Sequence, residues 1–192
     1  MVFTTKRFAG VLLVIAGAAA CASPQGKADK AIAAADSALQ ATSADAQAYV
    51  PDQFTALNDE LTAARSDVEA KKYADASMKA AEVSSKVAEL PAAIATAKQQ
   101  LTASWQSMAD SLPAMVQAIQ AKVDQMAKMR RLPAGMDKAK MDAAKTSVTE
   151  MTASWTQAMD AYKGGKLAEA VNLATGLKTK ANQTMSSLGM QK

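Results

Sequence analysis

VSSKVAELPAAIATAKQQLTASWQSMADSLPAMVQAIQAKVDQM occupies residues 83–126. Its apolar positions recur at steps of three and four: Val83, Val87, Leu90, Ile94, Ala97, Leu101, Trp105, Met108, Leu112, Met115, Ile119, Val123 and Met126. That spacing lays one apolar stripe along one face of a helix. Pro91 and Pro113 fall inside the run, and each removes a backbone donor and crowds the preceding turn. Unbroken, residues 74–130 would span ~85 Å at 1.5 Å per residue. The prolines predict instead a kinked path with at least one break, placed at Pro113, where Ser111 can cap a restarted helix.

Working outward, weaker and stronger stripes flank this one. From Lys27 the positions Ile32, Ala35, Leu39, Thr42, Ala46 and Tyr49 predict one loosely packed helix. Pro51 and Asp52 suit a first helical turn. Phe54, Leu57, Leu61, Ala64 and Val68 follow on one face, and Lys71-Lys72 closes that helix. Leu132-Pro133-Ala134-Gly135 reads as a turn. Beyond it run Met141, Ala144, Val148, Met151, Trp155, Ala158 and Tyr162, up to Gly164-Gly165. Leu167, Ala170, Ala174, Leu177, Ala181 and Leu188 make the last stripe. Sustained near-3.5 spacing predicts an all-α fold, an elongated antiparallel helical bundle with coiled-coil-like packing.

The chain also repeats itself. A shift of 94 residues carries Phe54, Leu57, Leu61, Ala64 and Val68 onto Val148, Met151, Trp155, Ala158 and Tyr162. It carries Lys72-Tyr73-Ala74-Asp75-Ala76 onto Lys166-Leu167-Ala168-Glu169-Ala170, and Val83, Val87 and Ile94 onto Leu177, Ala181 and Leu188. Two related helical hairpins are therefore expected. A second echo, Thr102-Ala103-Ser104-Trp105 against Thr152-Ala153-Ser154-Trp155, has another offset and unmatched flanks, and reads as convergence on one helix-face pattern.

Roughly a quarter of the residues are Ala and only 4% are aromatic, which favours helix throughout and a thin core. Lys6 and Arg7 precede a run of about 13 mostly apolar residues, Phe8–Ala20, that ends Ala18-Ala19-Ala20 before the single cysteine, Cys21. This is the layout of a secretory signal, too short for the roughly 20 residues of a spanning helix. The first 20 residues hold two bases and no acid. Of 22 basic residues, 20 then remain against 18 acidic ones, a net +2 for residues 21–192. So small an excess argues against a nucleic-acid partner.

The junction Ala19-Ala20-Cys21 resembles the lipobox of bacterial lipoproteins, with Ala18 where that family usually has Leu. The resemblance implies lipidation of the Cys21 thiol, cleavage before it, and anchoring to a membrane through the lipid. Ala22, in place of a retention-favouring Asp, implies the outer membrane, with the protein facing the periplasm. The expected organisation is a signal peptide over 1–20, a lipid-proximal tether over 21–26 that includes Ser23-Pro24-Gln25-Gly26, and a helical bundle domain over 27–192. The turns at Lys72, Tyr73, Ala76 and at Lys166, Leu167, Ala170 resemble those of tetratricopeptide hairpins, although the helices are longer than that 34-residue unit allows. The whole is similar to alanine-rich helical envelope lipoproteins of unknown function.

Little points to chemistry. There is no His, which removes the commonest general base and metal ligand. Nothing points to a catalytic carboxylate pair, and no phosphate-cradling glycine loop is present. The expectation is a protein that is not an enzyme, with no catalytic residue, no metal site and no cofactor. Met126, Met129, Met136 and Met141 read as core filling rather than a Cu(I) site. Trp105 and Trp155 lie on stripes and read as core anchors. Lys122, Lys128, Arg130, Arg131, Lys138 and Lys140 gather around the Pro133 turn. They read first as a solvated turn, with Asp124, Asp137 and Asp142 offsetting them. The sharper reading is an anion-binding patch of Lys128, Arg130, Arg131, Lys138 and Lys140. The final Lys192 resembles the lysine by which an abundant enteric lipoprotein is tied to peptidoglycan. The expected role is a structural scaffold or protein-interaction module of the cell envelope with an envelope protein partner. A periplasmic lipid- or metal-binding lipoprotein is the alternative, and the oligomeric state is left open.

Overall fold

A computed structural model of the chain describes residues 23–190. The expected signal peptide over 1–20, the lipidation expected at Cys21 and the expected peptidoglycan link at Lys192 lie outside the described residues. Six helices follow in order: α1 (Pro24–Ala41), α2 (Ser43–Tyr49), α3 (Pro51–Glu69), α4 (Tyr73–Ala127), α5 (Lys138–Lys163) and α6 (Leu167–Ser187). The fold is an all-α helical bundle.

The 55-residue α4 is the spine, ~82 Å long at 1.5 Å per residue. Helices α1 and α3 pack on its first half, and α5 and α6 on its second. Directions follow from the ties between helices. Lys79 and Lys86 of α4 reach back to Asp67 and Glu60 of α3, at 2.6 and 2.7 Å, so α3 runs antiparallel to the spine. The Lys86 ammonium also meets Glu82; these bonds, the Glu60 one foremost, raise its pKa above the ordinary 10.5. Tyr73 donates to Gln25 at 3.5 Å, and Lys98 pairs with Asp45 at 3.0 Å, so α1 runs alongside α4 in the same sense. An ion pair between Lys180 and Glu150 ties α6 to α5. Two bundles thus share one helix, α1, α2 and α3 packing with its first half and α5 and α6 with its second.

The expected break at Pro113 does not occur, and neither proline interrupts α4. Ser111 is no cap; its hydroxyl donates to the Ser107 carbonyl one turn back at 2.7 Å. The reason is that the stripe keeps its phase through both prolines. Ala76, Ala80, Val83, Val87, Leu90 and Ile94 are buried in one core, and Trp105, Met108, Leu112, Ile119, Val123 and Met126 in the other. Pro91 is exposed and Pro113 half-buried, both off that stripe, so their rings do not interrupt the packed seam. Packing on both halves offsets a local cost of about 3 kcal/mol per proline.

The N-terminal readings also need correction. Ser23-Pro24-Gln25-Gly26 is not a tether. Ser23 is the N-cap of α1, its hydroxyl accepting from the Gly26 N–H at 3.1 Å, and Pro24 fills the first turn. The expected single loose helix is two helices, divided at Thr42. Nor is α1 loose: Ala28, Ile32, Ala35 and Leu39 are buried. Alanine at two of these four positions lets α1 lie close on its neighbours, so contact is gained by approach rather than by side-chain bulk.

The repeat is real in atomic detail. In the first hairpin turn the N–H groups of Ala70, Lys71 and Lys72 donate to the carbonyls of Ser66, Val68 and Asp67. In the second, Gly164, Gly165 and Lys166 donate to Asp160, Tyr162 and Ala161, each 94 residues on. Lys71 and Gly165 take the left-handed backbone at φ 60° and 77°. This is the Schellman closure of a helix C-terminus. Core positions match as well: Ala64 with Ala158, Ala76 with Ala170, Ala80 with Ala174, and Val83 with Leu177 are all buried pairs.

Candidate functional site

The far end of the spine carries the densest positive charge among the described residues. Helix α4 ends as Lys128 and Met129 fold their N–H groups back to Gln125 and Met126. The loop then turns at Gly135, with φ 83°, and is closed by a 3.0 Å bond from the Met136 N–H to the Pro133 carbonyl. Asp137 caps α5, its carboxylate accepting from the Lys140 N–H at 2.8 Å. Met126 and Met141 are buried in the second core, and Leu132 and Met136 of the loop are partly buried against that core. The loop is therefore pegged by apolar side chains while its cations face water.

Lys128, Arg130, Arg131, Lys138 and Lys140 are all exposed. Lys140 is partly engaged, its ammonium donating to the Gly135 carbonyl at 2.6 Å. The other four, and half-buried Lys122, form no ion pair among the described residues. The acids expected to offset them do other things: Asp137 caps α5, Asp124 accepts from Gln120, and Asp142 meets Lys145. Residues 128–140 hold five cations and one acid, a net +4. The rest of 101–190 balances six against six, and residues 23–100 hold eight bases and eleven acids, a net −3. The rod is electrically polar, and its positive end is this tip.

Helix electrostatics do not call for this arrangement throughout. Cations at the C-terminus of α4 suit its dipole, but Lys138 and Lys140 sit in the first turn of α5, where a positive charge is unfavourable by ~0.3–1 kcal/mol. The first turns of α2, α3, α4 and α6 each hold an acid, and those of α1 and α5 hold none, the carboxylate at α5 being its cap, Asp137. At Lys138 and Lys140 positive charge is thus placed against the local preference of the backbone.

Other candidate residues resolve into packing. Trp105 is buried, as a core anchor should be, and stacks between Trp155, at 5.6 Å and 11°, and Tyr162, at 4.6 Å and 16°. The two Thr-Ala-Ser-Trp segments therefore meet across α4 and α5, a pairing that their sequence offset concealed. Tyr162, expected on the buried stripe, is 42% exposed because it lies over the outer face of Trp105. Met126 and Met141 belong to the core rather than to an open ligand set, and Met129 is on the surface. Among the described residues no three of His, Cys, Asp and Glu gather to hold a metal ion. An open groove of about 690 Å³ runs between α2 and the α5–α6 hairpin, past Gln47, Ala48, Ser154, Asn172, Gly176 and Lys180. Among the described residues no helix is long and apolar enough to cross a membrane.

No protein-family model, no curated protein and no solved structure matches this chain.

Proposed function

We propose that the chain is a lipid-anchored protein of the bacterial envelope, held at the outer membrane by Cys21 and extended into the periplasm as a non-enzymatic scaffold. The observation that carries this reading is the placement of the two ends. The N-terminus of α1 lies beside Tyr73 at the start of α4, and the basic tip lies at the other end of the same 55-residue helix. Cys21 stands two residues before the Ser23 cap, within ~7 Å of extended chain. An anchor there, with α1 rigid from its first turn, holds the body by one end and presents the tip ~80 Å away.

The scaffold reading is favoured over a carrier by the surface. The grooves given by the described residues are open, whereas a carrier for a lipid or small molecule buries most of its cargo in a concave pocket. The role then rests on shape and on contacts made by the exposed ends.

The anchor is tested by metabolic labelling. The full chain should incorporate labelled palmitate, and Cys21→Ser should abolish that label and release the protein from membranes. Label persisting in the Ser variant would refute lipidation at this residue. In-cell cross-linking from a photoreactive group at position 134, with the native anchor intact, should then trap an envelope component at the tip.

A further inference from the structure

We propose that the tip of the rod is a membrane-binding element that docks end-on upon an anionic phospholipid surface. That this surface is a second one, facing the anchored end, rests on the anchored-scaffold reading, but lipid binding by the tip does not. Three observations converge. Four of the five cations in 128–140 make no ion pair or side-chain hydrogen bond among the described residues, and one of those four, Lys138, also opposes the dipole of α5, so no contact within the fold accounts for them. The same loop interleaves apolar groups with the charges: Met129 is 40% exposed beside Arg130, Pro133 is exposed, and Leu132 is half-buried next to Arg131. Cations around a small apolar apex match a headgroup layer over acyl chains, where basic groups meet phosphates and apolar groups enter the boundary.

Orientation follows from the third observation, the opposite charge of the far half. With a net −3 over residues 23–100, the first bundle is repelled by the surface that attracts the tip. The rod therefore stands on the surface instead of lying along it. A convex loop also offers a protein partner little area to bury, whereas headgroups adapt to a protruding shape.

The test uses the full chain carrying Cys21→Ser and Ala134→Cys, with a polarity-sensitive fluorophore on the new cysteine. Vesicles of phosphatidylcholine with 30% phosphatidylglycerol should shift its emission to the blue, and pure phosphatidylcholine should not. R130E/R131E should weaken the response at least tenfold, as should K128E/K138E, a second surface pair that guards against a folding artefact. Polyglutamate, an acidic polymer without a bilayer, should give no blue shift. The proposal is overturned by an unchanged dye on anionic vesicles, by an equal response to neutral vesicles or in both reversed variants, or by polyglutamate acting as strongly as lipid, which would assign the tip to an acidic macromolecule. Every protein compared keeps residues 1–20 and lacks Cys21, so failure of the lipid-anchor reading leaves this readout untouched.

Discussion

Lys71 and Gly165 occupy one position in two copies of the same turn, and both hold the left-handed backbone. Glycine takes that conformation without penalty, while a residue with a Cβ is strained by roughly 1–2 kcal/mol. The first turn therefore carries a strain that the second does not. Lys71→Gly should raise the stability of the protein by about 1 kcal/mol, and Gly165→Lys should lower it by about as much. Urea midpoints at constant slope report both changes. Equal effects of one sign at the two sites would mean that the turns are not equivalent. The repeat itself was legible, because Lys72 and Lys166 each precede an apolar-Ala-acid-Ala run. The strain was not, since a lysine pair at a helix end reads simply as charge suited to the dipole.

At the scale of elements, α4 shows how a local signal and a non-local one compete. Each proline has a visible cost in the sequence, and a break at Pro113 follows if that cost stands alone. The compensating burial comes from α1 and α3 on one half of α4 and from α5 and α6 on the other, segments far away in sequence. The in-phase stripe, which runs uninterrupted from Val83 to Met126, was the better guide. The same logic applies to α1, whose Ala28 and Ala35 are fully buried although an alanine stripe looks weak. The tip divided likewise. Its cations were plain in the sequence, but Asp124, Asp137 and Asp142 gained other partners only through helix caps and side-chain neighbours. Because α4 is continuous, Pro113→Ala should stabilise the protein by about 2 kcal/mol. The helical gain of ~3 kcal/mol is reduced by the freedom returned to the unfolded chain. Thermal and urea unfolding measure this. A loss of stability would mean that the packing of the second bundle uses a bend set by the proline.

As a whole molecule, the protein is two small bundles on a common helix, negative at the end where α1 begins and positive at the other. Neither bundle has a large core, and each gains stability from helices that approach closely over Ala. The aromatic stack of Trp155, Trp105 and Tyr162 clamps α5 to α4 just past the joint between the bundles, where Ala97 and Leu101 are only half-buried. The separation of the ends, on which the scaffold reading and the end-on docking of the tip both depend, requires that α4 run unbroken through this joint and through both prolines. Spin labels placed by Met78→Cys and Ala121→Cys in the Cys21→Ser background lie on exposed positions and on nearly the same face of α4. Forty-three residues of helix should set them ~65 Å apart in a single narrow distribution by pulsed dipolar spectroscopy. A distribution centred below about 50 Å, or one split into two populations, would contradict the continuous spine and with it the separation of anchor and tip.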